Sequence, residues 1–110
     1  MNDLVKKKCV PCEGGIPPLS DDKEEKYLKD INRWNLIKEG IHRIKKEFFF
    51  DDFKDSMKFI NRVAKIAEKE GHHPNIHIYY DKVHLEIYTH AIKGLHLNDF
   101  ILAAKIDQIY

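Results

Sequence analysis

Residues 68–99 read EKEGHHPNIHIYYDKVHLEIYTHAIKGLHLND, and the spacings within them dictate a corner and a hairpin. Glu68 and His72 stand four apart, so a helix running up to Gly71 sets both near one edge. Pro74 disfavours helix at His73 and starts an extended segment, which puts two adjacent imidazoles at a helix-to-strand corner. Beyond it Ile76, Ile78 and Tyr80 share one parity. Past an Asp81-Lys82 turn so do Val83, Leu85 and Ile87, giving two strands with one apolar face. An antiparallel hairpin returns the end of its second strand to the start of its first, so His90 is expected beside His72 and His73. Its parity is that of His84, Glu86 and Tyr88, opposite the apolar set, which suits a residue lining a cleft.

Upstream, Asp51 or Asp52 can cap a helix, with Asp55 adding favourable charge at the positive end of the dipole. Phe53, Met57, Ile60, Ala64 and Ala67 follow the spacing of a buried stripe, which Phe59, Val63 and Ile66 widen. Gly71 serves as a left-handed C-cap. Farther back, Trp34–Ile37 and Ile41–Phe48 flank a Lys-Glu-Gly turn and predict a first hairpin, with Trp34 as a core or interface anchor rather than a ligand platform. Ser20 precedes DDKEEKYLKDI, an acidic helix start whose buried edge is Tyr27, Leu28 and Ile31.

Downstream, Gly94 breaks the chain and Asn98 or Asp99 starts a last helix. It carries two apolar stripes: Leu102, Ile106 and Ile109, then Phe100, Ala103 and Ala104. That surplus predicts self-association. The element order is α-β-β-α-β-β-α, a four-stranded antiparallel sheet with helices on one face, in the α+β class. Residues 1–19, with three of the four prolines and two adjacent glycines, read as an irregular leader to a domain over 20–110.

A chain of 110 residues has room for one core. A formal charge of +1 argues against an electrostatic nucleic-acid binder, and no apolar run approaches the roughly 18 residues that cross a bilayer. No signal-peptide core is visible, so the expected location is the cytosol. Cys9 and Cys12 form a single CxxC that lacks the further thiolates of a zinc site. The pair is expected to be reduced, in a partly ordered tail that also holds Lys6, Lys7 and Lys8.

The typed positions run as an acid at Glu68, three residues, His72-His73-Pro74, five residues, the aromatic Tyr80, nine residues, His90, eight residues and Asp99. This order resembles the signature of the pterin-4a-carbinolamine dehydratases with every spacing kept. The likeness extends through RVAKIAEKEGHHP, YYDKVHLEIYTH and GLHLNDFILAAKID to most of the chain after Leu19. The leader CVPCEGGIPPL is similar to that of some bacterial and plant members. One departure is Ile76, preceded by Asn75, where many animal members have a tryptophan preceded by an acid. An isoleucine offers a pterin apolar contact without ring stacking.

The resemblance implies a lyase acting on 4a-hydroxytetrahydropterin, with water as a product, within recycling of the pterin cofactor of aromatic amino acid hydroxylases. Such a reaction needs an acid and a base near one ring and no metal or redox cofactor. Imidazoles suit it, with an unperturbed pKa of about 6.5. By resemblance His72 and His90 transfer protons and His73 holds the pterin, while Glu68 and Asp99 orient imidazoles. Main-chain groups of Gly71, His72, His73, Tyr88, Thr89, His90 and Ala91 meet the ring edge. Asp99 also has a competing use as a helix cap.

The family further implies edge-to-edge pairing of sheets in a homodimer and helix packing in a homotetramer. Some animal members also act as dimerisation cofactors of a homeodomain activator, so a pure interaction module is the second functional reading. A metal site on His72, His73 and His90 lacks the i, i+4 helical pair such sites favour. His42, His77, His84 and His96 are assigned no role and are expected at the surface or across strands.

Overall fold

The computed structural model describes residues 3–12 and 14–110. Three helices, α1 (Asp21–Leu28), α2 (Phe53–Glu70) and α3 (Leu97–Gln108), accompany four strands, β1 (Asn35–Ile37), β2 (Arg43–Phe49), β3 (Asn75–Tyr79) and β4 (Lys82–Ile87). The strands form one antiparallel sheet in the order β1-β2-β4-β3. The predicted α+β class and element order hold.

Register explains why the helices gather on one face. Ile44 lies opposite Ile87, Lys46 opposite Leu85 and Phe48 opposite Val83, so these side chains share a face of the sheet. The five apolar ones have no exposed surface and join Phe59, Val63, Phe100, Leu102 and Ile106 of the helices in one core. Full burial of each such side chain stabilises by roughly 1.5–3 kcal/mol. Lys46 is the exception on this face. Its Nζ donates to Asn32 O at 2.6 Å and Asp107 Oδ1 at 2.8 Å, and the same carboxylate accepts from Trp34 Nε1 at 3.0 Å. Paired this way, a buried ammonium is tolerable, and of the two anchor positions open to Trp34 the core is the one it takes.

Several local expectations shift. The second hairpin turns at Tyr80-Asp81, with Tyr80 at φ +49°, rather than at Asp81-Lys82. The observed register pairs Ile78 with Val83 and Ile76 with Leu85 and so keeps the apolar residues on one face. That face is nevertheless uncovered at β3, the edge strand of the sheet, where every residue is exposed. On α2 the buried line is Ser56, Phe59, Ile60, Val63 and Ala67. Phe53 and Ala64 of the predicted stripe face water, since the core lies about one residue around the helix from the expected centre.

Helix α3 starts at Leu97 with His96 as N-cap, not Asn98 or Asp99. Phe100, Ile101, Leu102, Ala103, Ala104 and Ile106 are each at most 2% exposed, so its apolar surplus is consumed inside the chain and leaves no spare stripe there. Part of its cover comes from the leader, which the tail expectation missed. A 3-10 turn at Leu4–Lys6 packs on α3 and buries Leu4 in the core.

Candidate active site

The site begins where α2 stops. Asp52 caps the helix start by accepting from Asp55 N at 2.9 Å, and Gly71, at φ +67°, ends it. The amides of Gly71 and His72 both return to Ala67 O, the double closure that a left-handed glycine permits. His72 therefore leaves the helix in a fixed direction, and Pro74 commits the chain to β3 one residue later.

The opposite wall forms where β4 ends. Thr89 pairs with Gly94 in an isolated bridge that closes a small loop, and His90 opens the 3-10 turn His90–Ile92 inside it. His90 is thus beyond the strand, and strand parity does not set its direction. The hairpin return still brings it to the predicted neighbourhood. His90 is exposed, with its ring 4.3 Å from that of Tyr88.

Asp99 ties the two walls together. It has no exposed surface. Its Oδ2 accepts from Thr89 Oγ1 at 2.9 Å and from His96 N at 2.8 Å, and its Oδ1 lies 2.5 Å from His72 Nε2. A carboxylate accepts, so the proton of that last bond sits on Nε2, which in a neutral imidazole leaves the lone pair on Nδ1. Asp99 occupies the third position of α3, where it completes a capping box with His96. The cap and the bond to an imidazole, expected to compete, coexist on its two oxygens.

Glu68 bonds His73 rather than His72, the residue four ahead of it. The helix ends at Glu70, so the rings beyond it no longer follow helical spacing. Both partners are largely in water, with side chains 78% and 58% exposed. Around these groups lies an open cavity of about 370 Å³ lined by Gly71, His72, His73, Tyr88, Thr89, His90 and Ala91. All seven expected binding positions thus share one cavity, while Glu68 and Asp99 stand behind it.

Pro74, Asn75, Asn98, Val10 and Cys12 also line the cavity and were not foreseen. Pro74 belongs to a quoted motif and Asn75 follows it, but nothing in the leader's composition signals that it reaches the site. The histidines given no role divide. His77 and His84 face each other across β3 and β4 with rings 5.3 Å apart. Burial and the neighbouring His77 hold the His84 imidazole below its ordinary pKa. His42 Nδ1 bonds the buried Glu24 at 2.9 Å, and His96 caps α3. Among the described residues, the one group of potential metal ligands within 4.8 Å of one another is Asp21, Glu24 and His42, which includes no histidine of the cavity.

Comparison with known proteins agrees with the geometry. The model of a family described as pterin 4 alpha carbinolamine dehydratase matches residues 17–109. A provisionally named pterin-4-alpha-carbinolamine dehydratase of Chlorobium luteolum is 41% identical over 111 aligned residues, covering 100% of this chain and 97% of its own. One of Methylococcus capsulatus with the same name is 44% identical, covering 96% and 92%. A crystal structure from Brucella melitensis, described as a transcriptional coactivator/pterin dehydratase, superimposes with a TM-score of 0.78 at 27% identity over 84% of this chain and 97% of that one. The chain therefore belongs to the pterin 4 alpha carbinolamine dehydratase family.

Proposed function

We propose that this protein is a hydro-lyase that converts 4a-hydroxytetrahydropterin to quinonoid dihydropterin and water. The observation that carries this reading is the shared cavity: His72, fixed by the buried Asp99, and His90, from a distant part of the chain, wall one space. Its volume of about 370 Å³ falls in the range of roughly 300–1,000 Å³ usual for small-molecule sites. The strand-end and helix-end main chain around it suits the polar edge of a flat heterocycle.

In the proposed step the C4a–O bond breaks and its electron pair leaves with the hydroxyl, which takes a proton from His90 and departs as water. The N5 proton passes to Nδ1 of His72, and the freed pair forms the C4a=N5 double bond. No electron is gained or lost overall, so the chemistry asks for no redox cofactor. Asp99 keeps the Nε2 proton and ring orientation of His72, as a carboxylate does for a catalytic imidazole. His73, held by Glu68, positions the pterin. General acid–base assistance of this kind is typically worth about 10²- to 10⁴-fold.

The setting that fits is pterin recycling after an aromatic amino acid hydroxylase. Both cysteines are free thiols, as a cytosolic location favours, and no described helix is long and apolar enough to cross a membrane. A homodimer or homotetramer is supported by β3, an unpaired edge strand with Ile76, Ile78 and Tyr79 exposed. The double description of the Brucella melitensis protein favours an interaction role as the second reading. That reading expects a His72→Ala/His90→Ala double variant to keep its biological role.

The test follows loss of the 4a-hydroxy chromophore with wild type, His72→Ala and His90→Ala. A loss of about 10²-fold or more in each variant is expected. Equal rates in all three overturn the assignment.

A further inference from the structure

The residues before Ser20 have no assigned role, and the matching family model begins only at residue 17. Residues 9–10 and 14–19 are nonetheless pinned on the two sides of the histidine cavity. On one side Cys9 N donates to Glu70 Oε1 at 2.9 Å. Asn98, 2% exposed, takes the Val10 amide on its Oδ1 at 3.0 Å and returns a bond from Nδ2 to Val10 O at 2.6 Å.

On the other side Gly14, at φ +93°, passes so near the 3-10 turn that an added Cβ would lie 3.2 Å from Ala91 O. Pro18 fills the space above Gly94, where an added Cβ would meet its ring at 2.6 Å. Leu19 N then donates to Leu95 O at 2.9 Å. Val10 at the first anchor and Cys12 just beyond it both line the cavity together with His72 and His90.

We propose that the leader is a substrate-positioning strap, in which Val10 and Cys12 supply an apolar wall for the flat pterin ring. The inference rests on the dehydratase reading and deepens it, placing in the site two residues outside the span of the family model. A bicyclic heterocycle presents a polar edge and apolar faces. The histidine corner and the main-chain ends of α2 and β4 serve the edge. Val10, 56% exposed, carries an apolar side chain at the rim of the histidine cavity, and its main chain is held there by hydrogen bonds to Asn98 that a loose tail would not make. Asn98 adjoins Asp99, so the start of α3 holds both the strap and the carboxylate behind His72.

Steady-state kinetics and labelling test the strap together. In Val10→Ala and Cys12→Ala the KM for the carbinolamine is expected to rise about threefold to tenfold, with kcat and Tm unchanged. Cys12→Val restores bulk and is expected to return KM toward wild type. Calorimetry first fixes the Kd of 7,8-dihydrobiopterin, a pterin that cannot dehydrate. At ten times that Kd it is expected to slow alkylation of Cys12 by iodoacetamide about tenfold, read by mass spectrometry.

Unchanged KM in both variants, with unhindered alkylation by a protein that binds the pterin and turns over the carbinolamine, overturns the strap and leaves the dehydratase intact. A wild type that neither binds the pterin nor turns over defeats both.

Discussion

Two acid–imidazole pairs flank the same corner and differ in where they lie. Asp99 and His72 have side chains 0% and 13% exposed, whereas Glu68 and His73 are 78% and 58% exposed. In the first pair the acid accepts two further hydrogen bonds and cannot move without breaking the start of α3 and the end of β4. In the second the acid sits on a helix surface, where solvent and salt weaken its hold. In the proposed mechanism the same two functional groups thus serve as a fixed proton-transfer unit in one place and an adjustable substrate contact in the other.

The largest effects should fall on the buried pair. Asp99→Ala strands three donors and is expected to cost about 3–5 kcal/mol, read as a lower urea midpoint. Asp99→Asn keeps the volume but sets an amide donor where an acceptor is required. It is expected to fold and to lose about 10²-fold or more in kcat. An Asp99→Asn enzyme with wild-type kcat would erase the contrast between the pairs.

A middle-sized effect concerns the acid behind the strap. Burial tends to raise the pKa of Glu70, but the bond from Lys105 at 2.8 Å, the Cys9 amide and the lysine charge outweigh it and hold the carboxyl below its usual range. A depressed folded pKa contributes stability above the unfolded value and loses it as pH falls through the folded one. Wild type should therefore exceed Glu70→Gln in urea midpoint at pH 7, with the gap closing below about pH 4.3. A gap constant down to strongly acidic pH would contradict this.

Smaller still is the exposed pair. Glu68→Gln is expected to change kcat by less than about threefold and to leave Tm unchanged. Salt sharpens the comparison furthest. At about 1 M NaCl the modest effect of Glu68→Gln should vanish, while that of Asp99→Asn persists. A loss in Glu68→Gln matching that of Asp99→Asn would show that burial does not separate the two pairs.

Local signals carried most of the fold. Alternation marked β4, whose Val83, Leu85 and Ile87 are fully buried, and the Asp52 cap and Gly71 stop bounded α2. Spacing between the quoted residues carried the meeting of the three histidines in one cavity, because a hairpin returns the end of its second strand to the start of its first even when its turn shifts by one residue. What escaped depends on partners distant in sequence. Glu24 and Lys46 look like surface charges until His42 and Asp107 close on them. The two stripes of α3 suggested spare surface because Leu4 and the rest of the leader cannot be seen to cover them. Cys9 shows the same effect, since burial first and then nearby Glu70 push its thiol up to about 12, which no reading of a tail would suggest. His73 paired with Glu68 because the helix ended first, an event one residue wide.

The most direct test of the central claim is a double-mutant cycle on single-turnover dehydration with His72→Ala, His90→Ala and both together. If the two imidazoles act on one bound ring, removing the second after the first should cost less than about tenfold more. Losses that multiply fully in the double variant would show two independent groups and contradict the shared cavity as the catalytic unit.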